Sequence, residues 1–268
     1  FVMEAVFEDL DVKVTVLREV EEHVSPECIL ATNTSSLSVT AMTEALNRPE
    51  RLIGFHFFNP VAVMPLIEVV STIHSDPSAI STAIGCATRL RKTPVITKDL
   101  PGFVVNRILS VFLSEVFDEV DAGRTPESIS ESLAELRLPM DPFALVDLIG
   151  RTVTLHMLES LNEFAPERVH VSAALHAVTE NAASASIAID LANSLNGSTV
   201  AASEFRDRLL DSLVREISIM LSEGVVADVK DIDLCMIVGA GWPVAHGGIS
   251  KYLDDIGASE RVLGRRLH

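Results

Sequence analysis

The sequence predicts an α/β domain with a mostly parallel sheet, followed by an all-α region in which one helical domain occurs twice. Three observations predict it. Short apolar runs alternate with amphipathic stretches over the first third of the chain. The alternation stops after Lys98-Asp99-Leu100-Pro101-Gly102, and two later segments share their landmarks. Strands alternating with helices imply βαβ units, whose strands run parallel.

Val2-Met3-Glu4-Ala5-Val6 reads as the first strand. Asp9 to Val24 carries Leu10, Val14, Leu17 and Val20 close to helical spacing, which predicts the first helix. Ile29-Leu30-Ala31 is the second strand and ends in the polar run Thr32-Asn33-Thr34-Ser35-Ser36. Ser38 or Thr40 caps a helix running to about Leu46. Leu52 to Phe57 is a third strand, Leu66 to Val70 a fourth and Pro94-Val95-Ile96 a fifth, with a helix over Pro77 to Leu90. Ligands of such sheets bind beyond the carboxyl ends of strands, where Ser35 and His56 fall.

From Phe103 onward nearly everything reads as helix, so a domain boundary is placed near Asp99. Glu115-Val116, Ala122-Gly123, Ile129, Pro139 and Asp147-Leu148-Ile149-Gly150 form one segment. Glu216-Ile217, Glu223-Gly224, Ile232, Pro243 and Asp255-Ile256-Gly257 repeat it, about 101 residues on at the start and about 107 at the end. The predicted limits are a sheet domain over 1–99, helical domains over 100–172 and 204–268, and a linker over 173–203.

Composition narrows the function. Of 268 residues, 48% are hydrophobic, and the mean hydropathy of +0.33 indicates a well-buried globular protein. No run of 18 apolar residues occurs, and nothing reads as a signal peptide, so the protein is expected in the cytoplasm with no membrane span. Cys28, Cys86 and Cys235 lie far apart, which argues against a disulfide framework and a metal site. A net charge of −17 disfavours nucleic acid as a partner.

Residues 54–60 read Gly-Phe-His-Phe-Phe-Asn-Pro. Alone, His56 is more often a packed histidine than a catalyst. Glu68 changes that balance, because it interrupts the apolar strand Leu66-Ile67-Glu68-Val69-Val70. A buried carboxylate needs a partner. A His–Glu pair on adjacent strands meets that need and fixes the imidazole tautomer, as a general base requires. A stabilising pair with no chemistry is the plainer alternative. Ser35 and Asn106 stand at similar junctures, where each is ordinarily a helix cap. Together the four supply a base, its orienter and two hydrogen-bond donors for a carbonyl.

Asn33-Thr34-Ser35-Ser36, Gly54-Phe55-His56-Phe57-Phe58-Asn59-Pro60, Pro65-Leu66-Ile67-Glu68-Val69 and Pro101-Gly102-Phe103-Val104-Val105-Asn106-Arg107 resemble, in order and spacing, the L-3-hydroxyacyl-CoA dehydrogenases. Asp231-Ile232-Asp233, Gly239-Ala240-Gly241-Trp242-Pro243 and Gly247-Gly248-Ile249 resemble the second C-terminal domain of multifunctional β-oxidation subunits. The resemblance implies a partial Rossmann-type domain and NAD as cofactor. It implies that His56 takes the proton of the substrate 3-hydroxyl, that Glu68 holds His56, and that Ser35 and Asn106 bind the substrate. Glu8, Lys13, Ser35 and Asn59 match cofactor contacts. Otherwise Glu8 and Lys13 read as a solvated helix start. The implied partners are an acyl-CoA substrate and a thiolase subunit. A short-chain 3-hydroxybutyryl-CoA dehydrogenase and a non-catalytic assembly module are the competing readings.

The chain departs from that pattern in two places. It has no Gly-x-Gly-x-x-Gly loop to cradle a pyrophosphate, so it reads as N-terminally truncated and is expected to bind NAD weakly. The strand at residues 2–6 then becomes an apolar edge, expected to pair with another chain. In addition, residues 173–203 lack the Gly-Lys-rich segment of relatives.

Overall fold

The computed structural model describes residues 1–194 and 202–268. The predicted linker at 173–203 therefore lies partly outside the described residues. The chain divides into two compact units: Phe1–Val105 with Met220–Ala240, and Asn106–Ile219 with Gly241–His268.

The first unit holds a five-stranded sheet in sequence order: β1 (Val2–Glu4), β2 (Leu30–Thr32), β3 (Leu52–Phe57), β4 (Leu66–Ser71) and β5 (Thr93–Lys98). β1, β2 and β3 run parallel, β3 and β4 antiparallel, and β4 and β5 parallel. Each predicted strand is present, and β1 lies at one edge of the sheet. Helices α1 (Leu10–His23), α2 (Val39–Thr43) and α3 (Pro77–Arg89) connect the strands.

The period-two alternation of β3 splits the core between the two sheet faces. Leu52 packs with Leu17, Leu30, Val39, Met42, Val70 and Phe103 on one face. Ile53 and Phe55 pack with Ala31, Ile67, Val69 and the alanines of α3 on the other. Each of the larger side chains buried there contributes roughly 1.5–3 kcal/mol relative to exposure.

α1 departs from the predicted stripe. Its buried residues are Lys13, Leu17 and Glu21, whereas Leu10 is exposed. The polar pair can be buried because each has an ionic partner, Glu4 for Lys13 at 2.8 Å and Arg51 for Glu21 at 3.2 Å. The next helix is shorter than predicted, ending at Thr43, and of the two candidate caps it uses Ser38, whose hydroxyl accepts the Ala41 N–H. Asp99 supports the same turn, accepting the N–H groups of Val39 (3.1 Å) and Thr40 (2.6 Å) and the Ser38 hydroxyl.

The second unit is helical. Its described helices are the body of α4 (Val105–Asp121), α5 (Pro126–Leu133), α6 (Pro142–Ile149), α7 (Arg151–Phe164), α8 (Ala173–Glu180), α9 (Ile187–Ser194), most of α10 (Ala202–Glu223), α12 (Ile249–Asp255) and α13 (Ala258–Leu263). α11 (Val229–Gly239) counts with the sheet unit, where a Cβ at Gly239 would lie 2.4 Å from Leu66 Cδ2 and displace that side chain. The repeats match locally. The long helices α4 and α10 are followed by Gly123 and Gly224, both at positive φ, and the helices after them are capped by Thr125 and Asp228.

Candidate active site

His56 and Glu68 are register partners on the antiparallel strands β3 and β4. His56 Nδ1 lies 2.7 Å from Glu68 Oε2. A carboxylate only accepts, so Nδ1 carries the hydrogen and Nε2 is left as the ring atom able to take a proton. Glu68 has no exposure, and its second oxygen accepts the backbone N–H groups of Val104 (3.0 Å) and Val105 (3.1 Å). Those donors belong to the opening of α4, so the helix N-terminus faces the carboxylate.

The turn before α4 makes this geometry possible. Gly102 and Phe103 both have positive φ, 76° and 47°. For a bulky residue such as Phe103 that conformation is unusual and is sustained only by its surroundings. It presents two successive N–H groups to Glu68 and lays the Phe103 ring beside His56, centroids 5.4 Å apart. Phe58 contacts the same imidazole at 4.6 Å. Phe55 and Phe57 meet edge to face, centroids 5.2 Å apart, on the opposite face of the sheet. Of the three phenylalanines flanking His56 in sequence, one therefore contacts it, and Phe103 is the second wall.

Ser35 lies exposed in the loop after β2, at the same sheet end as the carboxyl terminus of β3. Its N–H donates to Glu8 Oε1 at 2.9 Å, and the Thr34 hydroxyl donates to the same oxygen at 2.6 Å. Burial pushes the Glu8 carboxyl up, but Thr34, Ser35 and Lys13 outweigh it and hold the group below its usual range. Lys13 is fully buried, so it is neither a solvated helix start nor open to a ligand in this structure. Asn59 is exposed two residues beyond β3. Asn106 follows Val105 in α4, is half-buried, and counts with the helical unit. Burial pushes the Cys235 thiol well up, with the Glu68 charge adding to it, which keeps that sulfur a poor nucleophile.

Sequence reasoning missed Glu4, Asn33 and Phe103. Glu4 carries the signal that revealed Glu68, a lone carboxylate in an apolar strand. Phe103 was marked only by the glycine before it.

Residues 1–100 match the family description "3-hydroxyacyl-CoA dehydrogenase, NAD binding domain", and residues 102–186 match "3-hydroxyacyl-CoA dehydrogenase, C-terminal domain". The chain belongs to the 3-hydroxyacyl-CoA dehydrogenase family. The fatty acid oxidation complex subunit alpha of Shewanella amazonensis is 33% identical over 97% of this chain. This dehydrogenase-family chain spans 40% of that relative's length. Among solved structures, the (S)-3-hydroxybutyryl-CoA dehydrogenase of Ralstonia eutropha is 34% identical over 67% of this chain and 65% of its own, with a TM-score of 0.64. The 3-hydroxybutyryl-CoA dehydrogenase of Escherichia coli shares the fold, with a TM-score of 0.78 at 22% identity over 99% of this chain and 78% of its own.

The cofactor of this family's first domain is NAD. Ser35, Asn59 and Glu8 are exposed polar residues of the sheet unit. A pyrophosphate is not provided for by these residues. Gly239-Ala240-Gly241 stands at the C-terminal end of α11, where carbonyls rather than N–H groups are left over. No group of three or more His, Cys, Asp or Glu side chains among the described residues is arranged to hold a metal ion. No described helix is long and apolar enough to cross a membrane.

Proposed function

We propose that this chain oxidises L-3-hydroxyacyl-CoA to 3-oxoacyl-CoA in fatty-acid oxidation, with His56 as general base. The observation that carries the reading is the 2.7 Å contact from His56 Nδ1 to a fully buried Glu68. NAD, when bound, supplies the acceptor for the hydride leaving C3. His56 Nε2 takes the proton of the 3-hydroxyl as the carbonyl forms. Glu68 then faces the positive charge developing on the imidazole, an interaction that strengthens as the reaction proceeds. Phe58 and Phe103 keep the ring in one orientation. Ser35 and Asn106 hydrogen-bond the substrate. Glu8, Ser35 and Asn59 contact the cofactor, and Lys13 supports Glu8 from behind.

Similarity to an alpha subunit across 97% of the chain, beyond the residue-186 limit of the matched domains, favours a multifunctional protein over a short-chain enzyme. A thiolase is the partner such a complex would call for, in the cytoplasm. The test is NADH formation from 3-hydroxybutyryl-CoA and 3-hydroxydecanoyl-CoA by the intact protein and its His56→Gln variant. The variant is expected to lose about three decades of rate, roughly 4 kcal/mol of barrier. An intact protein inactive on both substrates would return the chain to the assembly-module reading.

A further inference from the structure

Lys13 has no exposed surface, yet its ammonium is fully engaged inside the sheet unit. Its partners are Glu4 Oε1 at 2.8 Å, the Asn33 carbonyl at 2.9 Å, Glu8 Oε2 at 3.3 Å and the Val6 carbonyl at 3.4 Å. Glu4 is itself 5% exposed. It accepts the Val6 N–H at 2.7 Å and the Thr32 hydroxyl at 2.6 Å. Burying an ion cluster is costly, and apolar residues of similar size would fill the same volume without that cost. What the cluster reaches is the polar run after β2. Glu4 holds Thr32, Lys13 holds Asn33, and Glu8 holds Thr34, Ser35 and Ser36. From the other side, the Phe57 N–H donates to Asn33 Oδ1 at 3.2 Å, which ties the run to the residue after His56.

We propose that Glu4 and Lys13 are positioning residues: a buried ion pair that fixes the Asn33–Ser36 loop, and so the place of Ser35, relative to the strand that bears His56. The proposal rests on the reading above that Ser35 binds substrate. Neither residue meets the substrate; both act through backbone and side-chain hydrogen bonds of the loop.

Lys13→Met alone strands the Glu4 carboxylate in the interior, so the decisive variant is the pair Glu4→Gln/Lys13→Met, which removes both charges at nearly constant volume. It is made in the intact protein, with and without Ser35→Ala. Two quantities are read: hydrogen–deuterium exchange of the peptide spanning residues 32–37, and kcat/KM for 3-hydroxybutyryl-CoA. The expected result is exchange roughly tenfold faster or more in that peptide. With it, kcat/KM falls about 10- to 100-fold, and Ser35→Ala costs several-fold less in the paired variant than in the parent. Unchanged exchange overturns the proposal, and so does an additive Ser35→Ala cost. If the parent does not oxidise the substrate at all, the dehydrogenase reading fails. The exchange measurement then decides alone: faster exchange supports loop positioning, and unchanged exchange overturns it.

Discussion

Glu68 is buried more deeply than the histidine it pairs with: His56 retains 5% of its surface and Glu68 none. The pair is held from the protein side, since the carboxylate accepts Nδ1–H through one oxygen and two backbone N–H groups through the other. Replacing Glu68 with Gln cannot satisfy both sides, because one oxygen becomes a donor facing donors. Activity of Glu68→Gln is expected to fall about 10²- to 10⁴-fold, the usual range for disabling general base catalysis. Stability is expected to fall by roughly 1–3 kcal/mol for the group left unsatisfied. Steady-state rates and urea unfolding measure the two, and a variant with parental kcat would remove Glu68 from the mechanism.

Gly54 stands two residues before His56 on β3, and its missing side chain is what lets β4 and α2 close over it. A Cβ there would lie 2.6 Å from Val70 Cβ and 3.0 Å from Val39 Cγ2. The first of these atoms is fixed to the β4 backbone and cannot swing aside. Gly54→Ala is expected to destabilise the protein by about 1–3 kcal/mol through overpacking. A thermal melt checks this, and an unchanged midpoint would mean that the strands part more easily than their packing implies.

The sheet and the His–Glu pair were legible in the sequence for a physical reason. Fully buried strands read as short apolar runs, and a carboxylate inside one advertises a hidden partner. Lys13 and Glu21 were illegible for the converse reason. Periodicity counts them as polar and therefore outward, while Glu4 and Arg51 pull them inward. Phe103 escaped because its contact with His56 joins residues distant in sequence, and its left-handed backbone leaves no compositional trace beyond the glycine before it. Asp99 was read as a boundary, although its carboxylate anchors α2.

That anchoring carries its own expectation. Asp99→Ala removes the acceptor of two N–H groups in the first turn of a five-residue helix. Such a short helix has little stability of its own. The loss is expected to be about 1–2 kcal/mol, at the upper end for a cap. Exchange of the Val39 and Thr40 amides should report it directly, and protection equal to that of the parent would show the cap to be dispensable.

In the helical unit, Glu119 binds the buried guanidinium of Arg124 at 2.7 Å and also the exposed Arg208. Burial pushes the Glu119 carboxyl up, but the two arginines outweigh it and hold the group below its ordinary value of 4.5. A carboxyl lowered in the folded state stabilises it fully above the unfolded value, and that stability is lost as pH falls through the folded one. Glu119→Gln is thus expected to cost roughly 3–5 kcal/mol at neutral pH, by leaving Arg124 buried without its ion partner. The gap between parent and variant should narrow only below the ordinary carboxylate range. Melting curves from pH 7 down to pH 3 test this, and a gap constant with pH would sever Glu119 from the acid response.

Phe103 separates packing from catalysis. Its ring is 2% exposed and closes the core around Leu17, Leu30 and Met42 while lying against His56. Phe103→Ala opens a cavity and is expected to cost about 3–5 kcal/mol, enough to confuse any kinetic reading. Phe103→Leu keeps most of the burial and should cost less than about 1.5 kcal/mol. It nonetheless removes the flat wall that limits rotation of the imidazole. With His56 as the proposed base, a small misplacement is expensive, so kcat of the Leu variant is expected to fall about tenfold while KM for the proposed acyl-CoA substrate stays near that of the parent. Parental kcat in a stable Phe103→Leu protein would show that Glu68 and Phe58 suffice to hold His56, and would reduce Phe103 to a core residue.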